Sequence, residues 1–307
     1  MAKPKTTIST FQLFKLFPDQ DTARLYLESR LWPDGVKCPV CTKGERITTR
    51  KGGYYRCNAC AEDFTVRTGT IFERSHVPLH KWLYAMYLLV TARKGISSLQ
   101  LAKEIGVTQK TAWFLLHRLR EACGKDLRKL RGIVEIDETY VGGLEGNKHE
   151  GKKLHAGRGT VGKTPVLGMK ERGGRTKAMV LAEVTIESVG EAIYNNIEYG
   201  AHLHTDEAPG YAEMDGIFYR HDAINHGRGQ YRRGNVTTNS IESVFAVLKR
   251  GIIGVYHSTS KKHLPRYVDE FTFRLNDGNV KVRTLDRLDS FVRATAGKRL
   301  TYEGLIN

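Results

Sequence analysis

The sequence predicts an α+β protein in which a helical N-terminal region with a small cysteine-rich ribbon precedes a larger mixed-sheet domain. Three observations carry this prediction. Four of the five cysteines form two tight pairs between residues 38 and 60. Apolar residues recur at helical spacing over 10–31, 79–93 and 97–122. A strand-rich stretch begins at Gly132, and extended and helical segments then alternate along the chain.

The expected domain boundaries follow turn signals and changes in periodicity. Asp34-Gly35 and Lys94-Gly95 are turn pairs, and Pro18 separates two amphipathic helices. We expect an N-terminal helical segment at 1–35, a ribbon at 36–75, a helix-turn-helix region at 76–125, a mixed-sheet domain at 130–290 and a C-terminal tail at 291–307.

The charge is unevenly distributed along the 307 residues. The formal net charge is +16, and 40% of the residues are hydrophobic, which is enough for a buried core. Residues 1–130 hold 23 basic and 11 acidic residues, a net charge of +12, whereas the rest of the chain carries +4. The first half therefore favours a polyanionic partner, with charge for solubility as the alternative.

The N-terminus and the apolar runs predict where the protein acts. The first ten residues lack the apolar core of a signal peptide. The longest apolar run, near Trp82–Val90, is too short to span a bilayer. We therefore expect a cytoplasmic protein with no membrane partner.

Four cysteines have the spacing of a tetrahedral metal site. Cys38 and Cys41 form one C-x2-C pair, Cys57 and Cys60 form the other, and 15 residues lie between the pairs. Each pair places two thiolates on one tight turn, and two such turns close a structural zinc site. Chance pairs or a redox motif are the alternatives, but redox motifs rarely occur as two pairs at this separation. The spacing predicts a zinc ribbon.

Residues 97–120 have the pattern of a DNA-binding helix-turn-helix, with Gly106 in the turn and Thr108 as the cap of the second helix. We expect five side chains on or near the outer face of that helix, where polar groups reach base edges and basic groups reach phosphates. These are Gln109, Lys110, Trp113, His117 and Arg120. An ordinary helical hairpin is the alternative, because only the turn distinguishes the two.

Three acids in the second half suggest a site for divalent cations. Asp137 lies within a predicted strand, Asp206 follows another strand, and Glu242 opens a helix. Three close anions repel one another unless cations lie between them, and oxygen ligands suit Mg²⁺ or Mn²⁺. Two such ions about 4 Å apart activate an attacking oxygen and stabilise a leaving one in phosphodiester chemistry. The three acids therefore favour catalysis on a nucleic acid.

Each acid also has a structural interpretation. Asp137 would face solvent, and Glu135, two residues away on the same face of the strand, is a rival ligand. Asp206 would be a turn residue or a helix cap. Asn239 and Glu242 fit the N-cap and N3 positions of a capping box.

Seven short segments together resemble a known family. They are CPVC and CNAC in the ribbon, Asp-Glu-Thr-Tyr-Val-Gly-Gly at 137–143, His-Thr-Asp-Glu at 204–207, Thr-Asn-Ser-Ile-Glu-Ser at 238–243, Leu-Lys-Arg-Gly-Ile at 248–252, and the tail of residues 256–271, YHSTSKKHLPRYVDEF. The resemblance is to transposases of bacterial insertion sequences in the group catalogued as fifteen-ninety-five, and it covers nearly the whole chain.

The resemblance implies specific residue roles. It implies a ribonuclease H-like DDE domain after the zinc ribbon, with Asp137, Asp206 and Glu242 as the metal-binding triad. It makes Lys249 a DNA-contacting residue, and we include the neighbouring Arg250 in the same DNA-binding surface. Subgroups of the family carry Asn or His in place of the third acid, so Asn239 is the alternative third ligand.

The resemblance also implies the reaction. Water cleaves a strand at the element's ends, and the freed 3′ hydroxyl attacks target DNA. The expected partners are terminal-repeat and target DNA and further copies of the chain assembled on DNA, in a nucleoid-associated protein. Two rivals remain: a structure-selective nuclease that does not join strands, and a zinc-ribbon regulator that binds DNA without cleaving it.

Overall fold

The computed structural model describes residues 7–124, 127–143, 145–147, 149–154, 159–206, 220–224 and 232–307. The chain packs into two compact units. Met1–Gly124 and Asp277–Asn307 together form unit 1, and Lys125–Asn276 forms unit 2. None of the helices within the described ranges has the length and apolarity needed to cross a bilayer.

The helices and strands follow the α+β order that the sequence predicts. The helices are α1 (Thr10–Leu16), α2 (Gln20–Leu31), α3 (Leu79–Thr91), α4 (Ser98–Ile105), α5 (Gln109–Cys123), α6 (Ile186–Asn196), α7 (Asn239–Gly251), α8 (Leu264–Leu275), α9 (Thr284–Arg293) and α10 (Tyr302–Ile306). The strands are β1 (Ile47–Arg50), β2 (Tyr54–Cys57), β3 (Glu62–Phe64), β4 (Ile133–Val141), β5 (Thr164–Glu171), β6 (Thr176–Val180), β7 (His202–Asp206) and β8 (Arg220–Ile224).

The first two helices are separated where the sequence predicts, on either side of Pro18. Ser9 and Gln12 form a reciprocal capping box at the start of α1. Asp19 caps α2 by accepting a hydrogen bond of 2.8 Å from the amide of Thr22. Each helix therefore begins at its own side-chain cap.

Helix α9 packs on α2 and α3 within unit 1. Leu288 and Phe291 are fully buried, and the buried Arg287 donates to the carbonyl groups of Val90 and Gly278. The boundary expected at residue 290 therefore differs from the structural one, which follows Asn276. The apolar face of α9 is covered by helices distant in sequence, which a local pattern does not reveal.

The ribbon is a three-stranded antiparallel sheet in the order β1-β2-β3. Its small core combines aromatic rings with cysteine sulfurs. The rings of Tyr55 and Phe64 stack with centroids 5.5 Å apart, and Trp32 meets both edge-on. A core with so few apolar residues provides little folding free energy by itself. It is therefore typical of a domain that is stabilised by a bound metal.

Unit 2 is built on a five-stranded mixed sheet in the order β6-β5-β4-β7-β8. The first three strands in this order are antiparallel, whereas β7 runs parallel to β4 and to β8. This sheet with its flanking helices is consistent with the expected ribonuclease H-like fold.

Helices cover both faces of this sheet. On one face α6 buries Val189 and Ile193 against Val134, Ile136 and Leu203. On the other face α7 and α8 supply the apolar side chains, which pack against residues such as Val141 and Val166. Because side chains alternate along a strand, the second face also receives the odd-numbered residues of β4, including the predicted acid.

Candidate active site and metal centre

The structure brings the three predicted acids together on the α7 face of the sheet. Asp137 lies in the middle of β4, and Asp206 is the last residue of β7. The parallel register pairs Glu135 with His204, which places Asp137 level with Asp206 two residues further along. Glu242 lies in the first turn of α7. Two neighbouring strands and one helix therefore place the three acids on one side of the sheet, near enough for the charges of Asp206 and Glu242 to act on Asp137. Among the described residues, the three acids are not one of the groups whose ligand atoms all lie within 4.8 Å of one another.

The electrostatics of Asp137 reflect this convergence. Burial, together with the smaller effects of the negative charges of Asp206, Glu138 and Glu242, raises the pKa of the Asp137 carboxyl to about 7. Both the burial and the nearby negative charges therefore disfavour the charged form of Asp137. Carboxylate oxygens are the donors that a divalent ion of the Mg²⁺ or Mn²⁺ type prefers.

Glu135, the rival ligand, is held elsewhere. Its side chain is 0% exposed, and Oε1 lies 2.8 Å from Nη2 of Arg172. The amide of Ser240 donates to its Oε2 at 2.8 Å, and the amide of Ile241 at 3.3 Å. Glu135 is therefore bonded to the N-terminus of α7, beside the three acids.

The capping box considered for Asn239 and Glu242 does not form. The N-cap residue is Thr238, which makes no side-chain cap, so Asn239 is the first helical residue and Glu242 the fourth. The Thr238 hydroxyl instead donates to Oε1 of Glu242 at 3.2 Å. The two amides that such a box would serve have other partners: that of Asn239 donates to the Thr237 hydroxyl at 3.2 Å, and that of Glu242 donates to the Thr238 carbonyl at 3.1 Å. Capping therefore does not account for Glu242.

Helix α7 lies on the sheet through the apolar stripe that its sequence predicts. Ile241, Phe245 and Leu248 are buried, whereas Glu242 and Lys249 are exposed on a neighbouring face. The helix contacts β4 and β5 at this point.

The close approach of α7 depends on Gly168 of β5, which pairs with Asp137 across the sheet. A Cβ atom at residue 168 would lie 2.7 Å from side-chain atoms of Ile241 and of Phe245. The missing side chain therefore lets the helix lie close to the strand of the first acid.

Replacing Gly168 by alanine should displace α7 or strain its contact with the sheet. We expect the Gly168→Ala variant to lose about 1–3 kcal/mol of unfolding free energy, the range for overpacked cores. Denaturant unfolding measures the loss. Gly143→Ala is the control, because a Cβ there meets nothing within 4 Å. Equal stability of the two variants would contradict the close contact.

A second cluster with ligand-type side chains lies on the same sheet face. The cluster consists of His202, His204 and Asp222. Each residue offers one ligand atom, and these three atoms lie within 4.8 Å of one another. Arg233 donates to Oδ1 of Asp222 at 2.8 Å, and Nη2 of Arg172 lies 3.3 Å from Nδ1 of His204. Burial, aided by the charges of His202 and Arg172, lowers the pKa of His204 to about 4. Because a guanidinium flanks each end, we interpret the cluster as a hydrogen-bonded connection between β7 and β8.

The helix pair of unit 1 has the predicted turn. Gly106 ends α4 with a φ of 63°, in the left-handed region, and Thr108 caps α5 by accepting from the Thr111 amide.

The exposure of the five α5 residues differs from the expectation. Gln109 and Lys110 are exposed and Trp113 is half-buried, but His117 and Arg120 are buried. The outward placement of these last two residues was therefore wrong. Segments near the C-terminus cover the second half of α5, so its polar residues are not confined to an outer face.

Segments from the C-terminus pack along α5 within unit 1. Arg118 donates to the carbonyl of Leu300 at 3.2 Å, and the rings of Phe114 and Tyr302 meet edge-on. The side chain of His117 also meets the ring of Trp113, with centroids 4.4 Å apart.

The four cysteines of the ribbon have their sulfur atoms within 4.8 Å of one another. The sulfurs of Cys38 and Cys60, and those of Cys41 and Cys57, are 3.6 Å apart. Four Zn–S bonds of about 2.3 Å at tetrahedral angles require edges of about 3.8 Å, so the cluster fits zinc. Burial opposes ionisation of Cys57, but amides of Cys60 and Ala59 lower the pKa of its thiol to about 7, whereas burial and hydrogen bonds to the other sulfurs raise the pKa of the Cys60 thiol. A lowered thiol pKa favours the thiolate that binds metal.

Removing one sulfur from this cluster should unfold the ribbon. We expect Cys57→Ser to lose bound zinc and to make residues 36–64 sensitive to protease, because the metal supplies much of the folding free energy of so small a core. Zinc content and limited proteolysis measure both effects. Cys123→Ser, outside the cluster, is the control and should keep its zinc. A Cys57→Ser protein with full zinc content would contradict the four-sulfur site.

Two residues near the three acids of unit 2 were not predicted from the sequence as parts of the site. Arg172 follows β5 and bonds Glu135 and Asn235, and Gly168 admits α7. Arg172 lies in the turn sequence Arg-Gly-Gly-Arg and carries no local signal of its partner. A glycine inside the apolar strand sequence TPVLGMKE was a signal, because such a glycine often marks a close approach.

Comparisons with known proteins give one family match for the mixed-sheet domain and another for the zinc ribbon. Residues 129–276 match the family model described as the ISXO2-like transposase domain, and residues 18–63 match the transposase zinc-ribbon domain. An "Uncharacterized protein in transposable element ISH50" from Halobacterium salinarum is 31% identical over 275 residues, covering 85% of this chain and 92% of the relative.

One solved structure gives a weaker likeness. A chain from an intasome of simian T-cell lymphotropic virus in complex with PP2A regulatory subunit B56 gamma is 16% identical, over 61% of this chain and 65% of that one. Its TM-score of 0.28 is too low to indicate a shared fold.

The fold, the cysteine cluster and the domain matches define a transposase with an N-terminal zinc-ribbon domain. The chain belongs to the IS1595 family of transposases.

Proposed function

We propose that the protein cuts DNA strands at the ends of its insertion sequence and joins them to target DNA in a reaction that needs a divalent metal. The observation that carries the proposal is the convergence of Asp137, Asp206 and Glu242 within the transposase domain. The raised pKa of Asp137 supports it, because burial and the nearby acids disfavour the charge of this carboxyl and a bound cation would offset that cost.

The three carboxylates would hold Mg²⁺ or Mn²⁺, which activates the attacking oxygen and stabilises the leaving one when bound. In the first step water displaces the 3′ oxygen of the strand end, leaving a free 3′ hydroxyl. In the second step that hydroxyl displaces a 3′ oxygen in the target strand. Both steps are in-line displacements at phosphorus, so one set of residues serves both. Exposed Lys249 and Arg250 follow Glu242 on α7 and would bind phosphates of the same strand.

DNA recognition is assigned to unit 1. Exposed Gln109 and Lys110 at the start of α5 are positioned to reach base edges and phosphates, and Trp113 is their half-buried neighbour. His117 and Arg120, being buried, would act by shaping the helix surface. The four cysteines hold structural zinc, and copies of the chain assemble on paired terminal repeats.

A strand-transfer assay tests the proposal. The full chain is mixed with labelled terminal repeats, a target plasmid and Mg²⁺ or Mn²⁺. Metal-dependent cleavage followed by joined products is the expected result. Cleavage without joining would indicate a structure-selective nuclease, and binding without cleavage would indicate a zinc-ribbon regulator. Either outcome would overturn the proposed function.

A further inference from the structure

One buried carboxylate connects the strand of the first acid to the helix of the third. Glu135 precedes Asp137 by two residues on β4 and faces the same side of the sheet. The amides that bind it belong to Ser240 and Ile241, which directly precede Glu242. The Glu135 side chain therefore connects β4, which carries Asp137, to α7, which carries Glu242.

Helix α7 needs this partner because it has no side-chain cap of its own. The first amides of a helix have no partner within the helix, and a carboxylate near them is favoured by the helix dipole. Glu135 accepts from two of these amides and from the Ser240 hydroxyl at 3.1 Å. A residue 105 positions away thus does the work of an N-cap.

Arg172 completes the arrangement. Its guanidinium donates to Oε1 of Glu135 at 2.8 Å and to the backbone carbonyl of Asn235 at 2.9 Å. The ion pair balances the buried charge, and the second bond holds the segment that enters α7. The start of the helix is therefore fixed in direction as well as in distance from β4.

We propose that Glu135 is a positioning residue that sets where Glu242 stands relative to Asp137, with Arg172 as its partner. This inference rests on the proposed function, since it concerns the geometry of the metal-binding acids. Glu135 itself binds no metal. It acts through α7, as residues that orient metal ligands do elsewhere, and losing such residues typically costs about 10- to 100-fold in metal affinity or activity.

The test is the metal dependence of strand cleavage by Glu135→Gln in the full chain. Glutamine keeps the shape but has one acceptor oxygen, so its amide nitrogen must face either the helix amides or the guanidinium. We expect the half-saturating Mn²⁺ concentration to rise about 10- to 100-fold, with partial rescue at high Mn²⁺ and unchanged affinity for terminal-repeat DNA. The side chain of Arg172 is more exposed than that of Glu135, so Arg172→Gln should raise the half-saturating Mn²⁺ concentration by a smaller factor. It also provides a second variant in case Glu135→Gln folds poorly.

Glu270→Gln is the matched control. Glu270 is a buried carboxylate of unit 2 on α8, where it is paired with Arg274 and accepts from the hydroxyl of Tyr256. We expect it to lower the melting temperature while leaving the half-saturating Mn²⁺ concentration unchanged. If Glu135→Gln and Arg172→Gln match the control in metal dependence, the positioning role is refuted. If the wild-type protein shows no metal-dependent cleavage, the proposed function fails instead.

Discussion

Asp137→Asn and Asp206→Asn are each expected to abolish metal-dependent strand cleavage while leaving DNA binding unchanged. Each substitution keeps the side-chain shape and removes a charge that would hold the proposed cation. Metal stabilisation of a transition state is worth several kcal/mol, so cleavage should fall on the order of a thousandfold. Cleavage of labelled terminal repeats in Mn²⁺ measures the loss, and a gel-shift titration measures binding.

The same substitutions have a distinctive effect on stability. The raised pKa of Asp137 means that its charge is unfavourable in the metal-free fold. We expect Asp137→Asn to melt in chelator at or above the temperature of the wild-type protein. A loss of activity accompanied by a clear loss of stability would point to a structural role.

Glu138→Gln provides the control for this pair. Glu138 is adjacent to Asp137 on β4, and the alternation of a strand turns its side chain away from the acid face. The substitution removes one negative charge near Asp137 without touching the triad. Activity close to wild type is expected, and an equal loss in all three variants would indicate that only the net charge matters.

Features set by neighbouring residues could be predicted from the sequence. The strand-rich stretch predicted to begin at Gly132 starts with β4 at Ile133, and Gly106 and Thr108 form the predicted turn and cap. The apolar stripe of α7 was also predictable, because burial of Ile241, Phe245 and Leu248 follows the helical period. These features depend on contacts within a few residues, which periodicity and capping rules describe.

Features set by distant contacts were not predictable. The amides at the start of α7 are bound by Glu135. Local rules had instead predicted a capping box between Asn239 and Glu242. His117 and Arg120 are buried because other segments pack over α5. The apolar pattern of α5 by itself had placed both residues on or near the outer face. Likewise, α9 belongs to unit 1 because α2 and α3 cover it. In each case the deciding partner lies far along the chain.

The second large effect is expected at Glu242. Because the capping box does not form, Glu242→Gln removes no helix cap and loses only the charge and one acceptor oxygen. Gln can still accept from the Thr238 hydroxyl that now donates to Oε1. We therefore expect cleavage to fall on the order of a hundredfold or more while α7 stays folded, since one of three metal-holding charges is lost. Cleavage rates against Mn²⁺ concentration, together with the melting temperature, measure both effects.

Lys249→Ala separates metal binding from DNA positioning on the same helix. Lys249 lies seven residues, two helical turns, after Glu242, and both side chains are exposed. An ammonium there would place a phosphate near the site, so cleavage and joining should weaken while the half-saturating Mn²⁺ concentration and melting temperature stay unchanged. Ser243→Ala, exposed on the same helix, is the control. Full activity in both Glu242→Gln and Lys249→Ala would reject this helix face as part of the site, and Asn239 would become the next third ligand to test.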